Sequence, residues 1–135
     1  MPSLNEVQLR TLTAAVDRMV PQDDYPSASA AGCIDFLLRL IELEHLAEMY
    51  RAGLDGLESE ARRGGSSFAD LGEAAQDELL RKCEKLKTRI TWRVSPKQFV
   101  SLLARQTIEG YYSDPGNGGN RDGIAWRMVG FEVRG

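Results

Sequence analysis

The densest chemistry in the sequence lies between Glu109 and Phe131, where Glu-Gly-Tyr-Tyr-Ser-Asp-Pro-Gly-Asn-Gly-Gly-Asn-Arg-Asp-Gly-Ile-Ala-Trp-Arg-Met-Val-Gly-Phe collects glycines, acids, arginines and aromatics. Gly116, Gly118, Gly119 and Gly123 reach backbone angles closed to other residues, at a high cost in conformational entropy. A loop of this kind needs bracing. Asp114, Asn120, Arg121 and Asp122 can supply it through side-chain to backbone bonds and an Asp–Arg pair, while Tyr111, Tyr112, Trp126 and Phe131 offer apolar anchors. Two ligand chemistries suggested by the glycines fail on context. Gly116-x-Gly118-Gly119 follows a predicted helix, whereas a dinucleotide fingerprint requires a strand before it and a helix opening at its end. Counting a calcium loop from Asp114 places Gly119 at the turn, but Gly116 and Gly118 occupy the third and fifth positions and Ala125 the twelfth, where oxygen ligands belong.

Other residues that do chemistry are sparse. His45 is the only histidine, and it is expected on an ordinary helical segment among Glu44, Leu46 and Glu48, so a histidine triad or multi-histidine metal site has little to work with. Asp23 and Asp24 are adjacent in a turn, where carboxylates cap or face water more often than they form an acid/base pair. Cys33 and Cys83 are the only cysteines, lie in helical segments and form no Cys-x-x-Cys spacing, so they read as buried thiols, with one bridge between them left open. Arg81, Lys82, Lys85, Lys87, Arg89, Arg93 and Lys97, with Trp92 among them, resemble a nucleic-acid patch at first sight. With a sequence pI near 5.2, they read better as a solvated helix face or a protein-docking surface.

The elements that must position these residues are helical. Ser3 followed by Glu6 has capping-box spacing, and Leu9, Leu12, Val16, Met19 and Val20 share a face until Pro21, predicting a first helix over about 4–19. A turn containing Asp23, Asp24 and Pro26 follows. Ile34, Leu37, Leu38 and Ile41, with Leu40, then mark a second helix at the centre of the core. Met49, Tyr50, Leu54, Leu57 and Ala61 carry a third helix to Arg63, where Gly64-Gly65-Ser66-Ser67 breaks it; the pattern leaves a bend near Glu48 open. Phe68 and Leu71 precede a fourth helix, Glu73 to about Lys87, with Ala75, Leu79, Leu80, Cys83 and Leu86 at helical spacing. Thr88 to Val94 alternates but has no strand partner, and is read as an extended connector. Ser95-Pro96-Lys97-Gln98 is the cleanest helix start; Phe99, Leu102, Leu103 and Gln106 lead to Ile108, and Gly110 is expected to weaken the helix before Tyr111.

The expected fold is therefore all-α: residues 1–135 as a single compact domain of about five helices with an ordered Gly-rich C-terminal loop. The size and the 42% hydrophobic content suit one core. A net charge of −3 gives no global pull toward nucleic acid or anionic membrane, yet the halves differ: residues 1–80 hold 6 basic and 15 acidic side chains (net −9), residues 81–135 hold 11 and 5 (net +6). Such a dipole suits docking to a charged partner. The most apolar stretch, Ile34 to Leu46, contains Asp35, Arg39, Glu42, Glu44 and His45, which excludes a membrane span there. Met-Pro-Ser-Leu-Asn-Glu shows no export signal, so a cytoplasmic location is expected.

Two blocks resemble the gluconate 2-dehydrogenase subunit 3 family, small non-catalytic subunits of bacterial flavin-dependent sugar dehydrogenases. The first is Leu12-Thr-Ala-Ala-Val-Asp17-Arg18-Met-Val-Pro21-Gln-Asp23-Asp24-Tyr-Pro26, with Ala31-Gly32-Cys-Ile-Asp35-Phe36. The second is Glu109-Gly110-Tyr-Tyr-Ser113-Asp114-Pro115, then Gly118-Gly119-Asn120-Arg121-Asp122-Gly123, Trp126 and Gly130-Phe131. Tyr50-Arg51-Ala52-Gly53-Leu54 lies between them. The resemblance implies a helical companion of a large glucose-methanol-choline (GMC) type flavoprotein, often with a cytochrome c as third partner. FAD and sugar oxidation belong to the large subunit, and this chain carries no cofactor, metal or catalytic group of its own. Tyr111, Tyr112, Asp114, Pro115, Gly118, Gly119, Asn120, Arg121, Asp122, Trp126 and Phe131 are the implied partner-binding residues. Many relatives begin with a twin-arginine signal, absent here, so a periplasmic location would require a partner to carry the address. The rival reading is an independent small-molecule binding or catalytic domain built on the Gly-rich loop.

Overall fold

The computed structural model describes residues 3–112. Among them the chain forms α1 (Glu6–Met19), α2 (Cys33–Leu43), α3 (Ala47–Arg63), α4 (Glu73–Glu84) and α5 (Pro96–Tyr111), with one turn of 3-10 helix at Phe68–Asp70 and no strand. The all-α expectation holds. Its ordered Gly-rich loop, with every expected partner residue from Asp114 to Phe131, lies outside the described residues.

Capping explains most boundaries, with one correction. The box that opens α1 is Asn5/Gln8 rather than Ser3/Glu6: Asn5 Oδ1 accepts from Gln8 N at 2.8 Å, and Gln8 Oε1 accepts from Asn5 N at 3.0 Å. Two spacings compete locally, and tertiary packing chooses between them. The Ser3 carbonyl accepts from Arg51 Nε at 2.7 Å and Leu4 is buried, which draws both residues out of the first turn. Ser95 caps α5 as expected, its Oγ accepting from Gln98 N at 3.2 Å, with Pro96 in the first turn. Gly32, at φ 93°, occupies the left-handed region immediately before α2, a conformation that costs glycine nothing.

Non-glycine residues in that same region end two helices. His45 (φ 55°) separates α2 from α3, so it terminates a helix rather than sitting within one, and the chain bends there, ahead of Glu48. Leu86 (φ 55°) ends α4 at Glu84, earlier than Lys87. Lys87 N donates to the Lys82 carbonyl at 2.8 Å and Leu46 N to the Ile41 carbonyl at 2.9 Å, the six-residue closure of a Schellman turn in both cases.

α3 and α5, rather than α2 as expected, form the centre of the core, because they carry more of the large fully buried side chains. Tyr50, Leu54 and Leu57 face Phe99, Val100 and Leu103, flanked by Leu12 and Val16 of α1 and Leu37 and Ile41 of α2, all fully buried. Each such side chain contributes roughly 1.5–3 kcal/mol by leaving water. Close approach is set by glycines. A Cβ on Gly53 would lie 2.2 Å from the Phe99 ring, and one on Gly56 2.2 Å from the Trp92 ring. Gly110 does not weaken α5 as expected; the helix runs through it to Tyr111, and the missing side chain leaves room for Phe36 of α2, 2.6 Å from where a Cβ would sit.

Candidate partner-binding surface

The end of α5 brings the first sequence block against the start of the second. Tyr111 is fully buried and its hydroxyl donates to the Pro26 carbonyl at 2.8 Å, while its ring meets Tyr112 edge-on at 5.4 Å between centroids. Burial raises the Tyr111 hydroxyl to about 12, with Tyr112, Asp23 and Cys33 adding to the shift. The phenol therefore stays a neutral donor. Within the first block, Asp17 accepts from Ser29 N at 2.8 Å and Ser29 Oγ at 2.7 Å, and Asp23 Oδ1 accepts from Tyr25 N at 3.0 Å. These bonds shape the turn that carries Pro26. Cys33 Sγ donates to the Thr107 carbonyl at 3.5 Å, and Phe36 packs on Gly110, which completes the seam between α2 and α5.

Tyr111 and Tyr112 are the only two expected partner residues among the described residues, and the structure gives them different places. Tyr112 is 39% exposed at the tip of α5. Tyr111 faces inward, so its part in any contact is to hold the Pro26 turn against α5.

α3 carries a second organising feature that sequence reasoning missed. Its acids hold the loops of the neighbouring elements. Glu60 is buried, and its Oε1 accepts from Arg89 N and Ile90 N, both at 2.8 Å, and from Trp92 Nε1 at 3.4 Å. Glu58 accepts from Phe68 N at 2.9 Å, fixing the 3-10 turn, and Asp55 joins Gln8 of α1 (2.9 Å) to Arg93 of the connector (2.8 Å). A signal was available: Glu60 follows Gly53, Gly56 and Leu57 at helical spacing on the apolar stripe, where a carboxylate must find donors. Arg18 grips Asp77 with two bonds (2.8 and 3.1 Å) and Glu73 with a third contact (3.2 Å), tying α1 to α4. The hydrogen bond from Arg18 holds the Asp77 carboxyl below the usual range, and Asp77 in turn raises the guanidinium.

Cys33 and Cys83 are free, buried thiols. Burial pushes both to about 12, helped by Asp17 at Cys33 and by Glu60 and Glu84 at Cys83. Among the described residues no cluster of three histidine, cysteine or carboxylate side chains is placed to hold a metal ion, and no helix is long and apolar enough to cross a membrane.

Two concavities flank the turn that ends α4. An open groove of about 610 Å³ has Met49, Leu86 and Leu102 among its lining residues, together with Lys97 and Arg105. A smaller pocket of about 190 Å³ is lined by Arg63, Lys82, Lys87 and Arg89 around Glu60. The basic stretch 81–97 thus includes paired residues, Arg81 with Glu78 and Arg93 with Asp55, and cations that line concave surface, Lys82, Lys87, Arg89 and Lys97.

No curated protein and no solved structure matches the chain. The sequence model of the family described as gluconate 2-dehydrogenase subunit 3 matches residues 6–133, spanning all five helices and the whole Gly-rich block, and the chain belongs to that family.

Proposed function

We propose that this chain is the non-catalytic small subunit of a dehydrogenase complex, binding a large FAD-dependent GMC-type sugar dehydrogenase subunit and stabilising or maturing it. The observation that carries the reading is the seam between the two sequence blocks. Tyr111–Pro26, Cys33–Thr107 and Phe36–Gly110 bring them together at one end of the helical bundle. A rigid base of this kind lowers the ordering cost for whatever leaves it at Tyr112. FAD, substrate and electron acceptor belong to the partner in this reading, and a cytochrome c would be a third component. The residues beyond Tyr112 that contact the large subunit are expected to include Arg121, Trp126 and Phe131, residue types suited to interface anchoring.

Co-expression tests the proposal. The large subunit produced with this chain should give a higher yield of soluble, FAD-loaded flavoprotein, and the two should co-purify. The isolated chain should neither bind FAD in a calorimetric titration nor reduce a dye acceptor with sugars present. Equal yield and flavin loading of the large subunit without this chain refutes the role.

A further inference from the structure

Leu86 breaks two local rules at once. It is a non-glycine residue in the left-handed region, and it leaves 60% of its surface in water. Either a glycine or a polar residue would serve the turn better. It lines the open groove with Met49 and Leu102, while the next residue, Lys87, lines the small pocket on the other side of the same turn. Around the two concavities stand Arg63, Lys82, Lys87, Arg89, Lys97 and Arg105, and none of them forms an ion pair among the described residues. Glu60 is the one acidic side chain lining either concavity among the described residues, and its carboxylate, whose Oε1 accepts from the Arg89 and Ile90 amides, sets one negative charge against these six cations. Six cations gathered against one carboxylate, around a strained and exposed leucine, mark a surface shaped for something outside the chain.

We propose that the turn ending α4 is a docking ridge for an acidic segment of the catalytic subunit. An apolar side chain of that segment enters the Met49–Leu86–Leu102 groove, and its carboxylates meet the cations on either side. Charge complementarity selects this occupant: among the described residues the cations lining the two concavities outnumber the lining carboxylates six to one. The apolar floor supplies affinity, while the cations supply steering and register. The inference rests on the accessory-subunit reading and adds where the partner sits and what chemistry it presents.

The test measures Kd between this chain and the large flavoprotein subunit at low and high salt, with Leu86→Gly and Lys87→Glu/Arg89→Glu beside wild type. Relieving the left-handed strain should raise the melting temperature of the isolated Leu86→Gly chain by a few degrees. The same variant should bind the large subunit about ten-fold more weakly, a combination that a purely structural leucine does not produce. The charge reversal should weaken binding about a hundred-fold at low salt and flatten its salt dependence. Wild-type affinity in both variants overturns the docking ridge and leaves the accessory role standing. Failure of the wild-type chain to bind the large subunit overturns that role and the ridge with it. Self-association of the wild-type chain that both variants abolish assigns the ridge to a second copy instead and also overturns the proposal.

Discussion

Gly53→Ala isolates the contact on which the α3–α5 centre depends. The added Cβ would lie 2.2, 2.3 and 2.5 Å from three ring atoms of Phe99, where ordinary carbon contacts begin near 3.4 Å. The ring must therefore move by about 1 Å, the difference between those distances. It has no free direction, because Phe99 is fully buried and its ring meets Tyr50 edge-on at 5.7 Å and 86°. Tyr50 is itself buried, with its hydroxyl donating to Gln106 Oε1. Alanine gains about 1 kcal/mol over glycine in a helix interior. Overpacking costs about 1–3 kcal/mol, and disturbing the aromatic pair about 0.5–1.5 kcal/mol more. The net destabilisation is about 2 kcal/mol, or roughly 8 °C in melting temperature for a domain of this size. Circular dichroism melts and urea titrations of wild type and Gly53→Ala measure it. Gly72→Ala, with nothing within 4 Å of the added methyl, serves as the control. An unchanged or higher melting temperature for Gly53→Ala would show that helix propensity outweighs the packing of Phe99, and the reasoning would fall.

Glu60→Ala should strip the connector of its acceptor and cost about 2–3 kcal/mol, since the Arg89 and Ile90 amides lose a buried charged partner; amide exchange should accelerate at those two positions ahead of the core. Cys33 and Cys83 should resist alkylation at pH 8 in the native chain and react in denaturant, because burial holds both thiols neutral up to about 12. For these thiols and for Tyr111 the folded pKa lies above the unfolded value, so stability should be full below about pH 9 and decline toward pH 12, as equilibrium unfolding at stepped pH will reveal. Asp77 has the opposite sign: its carboxyl is held low by Arg18, so its contribution is present above the ordinary carboxylate range and disappears as acid protonates it, and Asp77→Asn should lower stability at pH 7 while flattening the acid limb.

Much of the scaffold was legible because its signals are local. The stops at Pro21 and Gly64, the Ser95-Pro96 start and the apolar faces of α1, α3 and α5 follow from steric and capping preferences that neighbouring residues set by themselves. The all-α class followed from the same periodicities, and the family resemblance followed from the residue blocks. Where two local solutions were nearly equal, as with Ser3/Glu6 against Asn5/Gln8, nothing nearby could choose; Arg51, distant in sequence, decided by taking the Ser3 carbonyl. The left-handed ends at His45 and Leu86 were invisible for a related reason, because sequence patterns place glycine there and only the packing of adjoining helices sustains the strain. Gly110 read as a weak helix position, and tertiary structure alone revealed it, with Gly53 and Gly56, as seats for Phe36, Phe99 and Trp92. The same holds for Glu60. Its type and spacing demanded donors, but which amides would come to it depended on how a connector nearly thirty residues later folds back, a long-range choice set by packing and not by propensity.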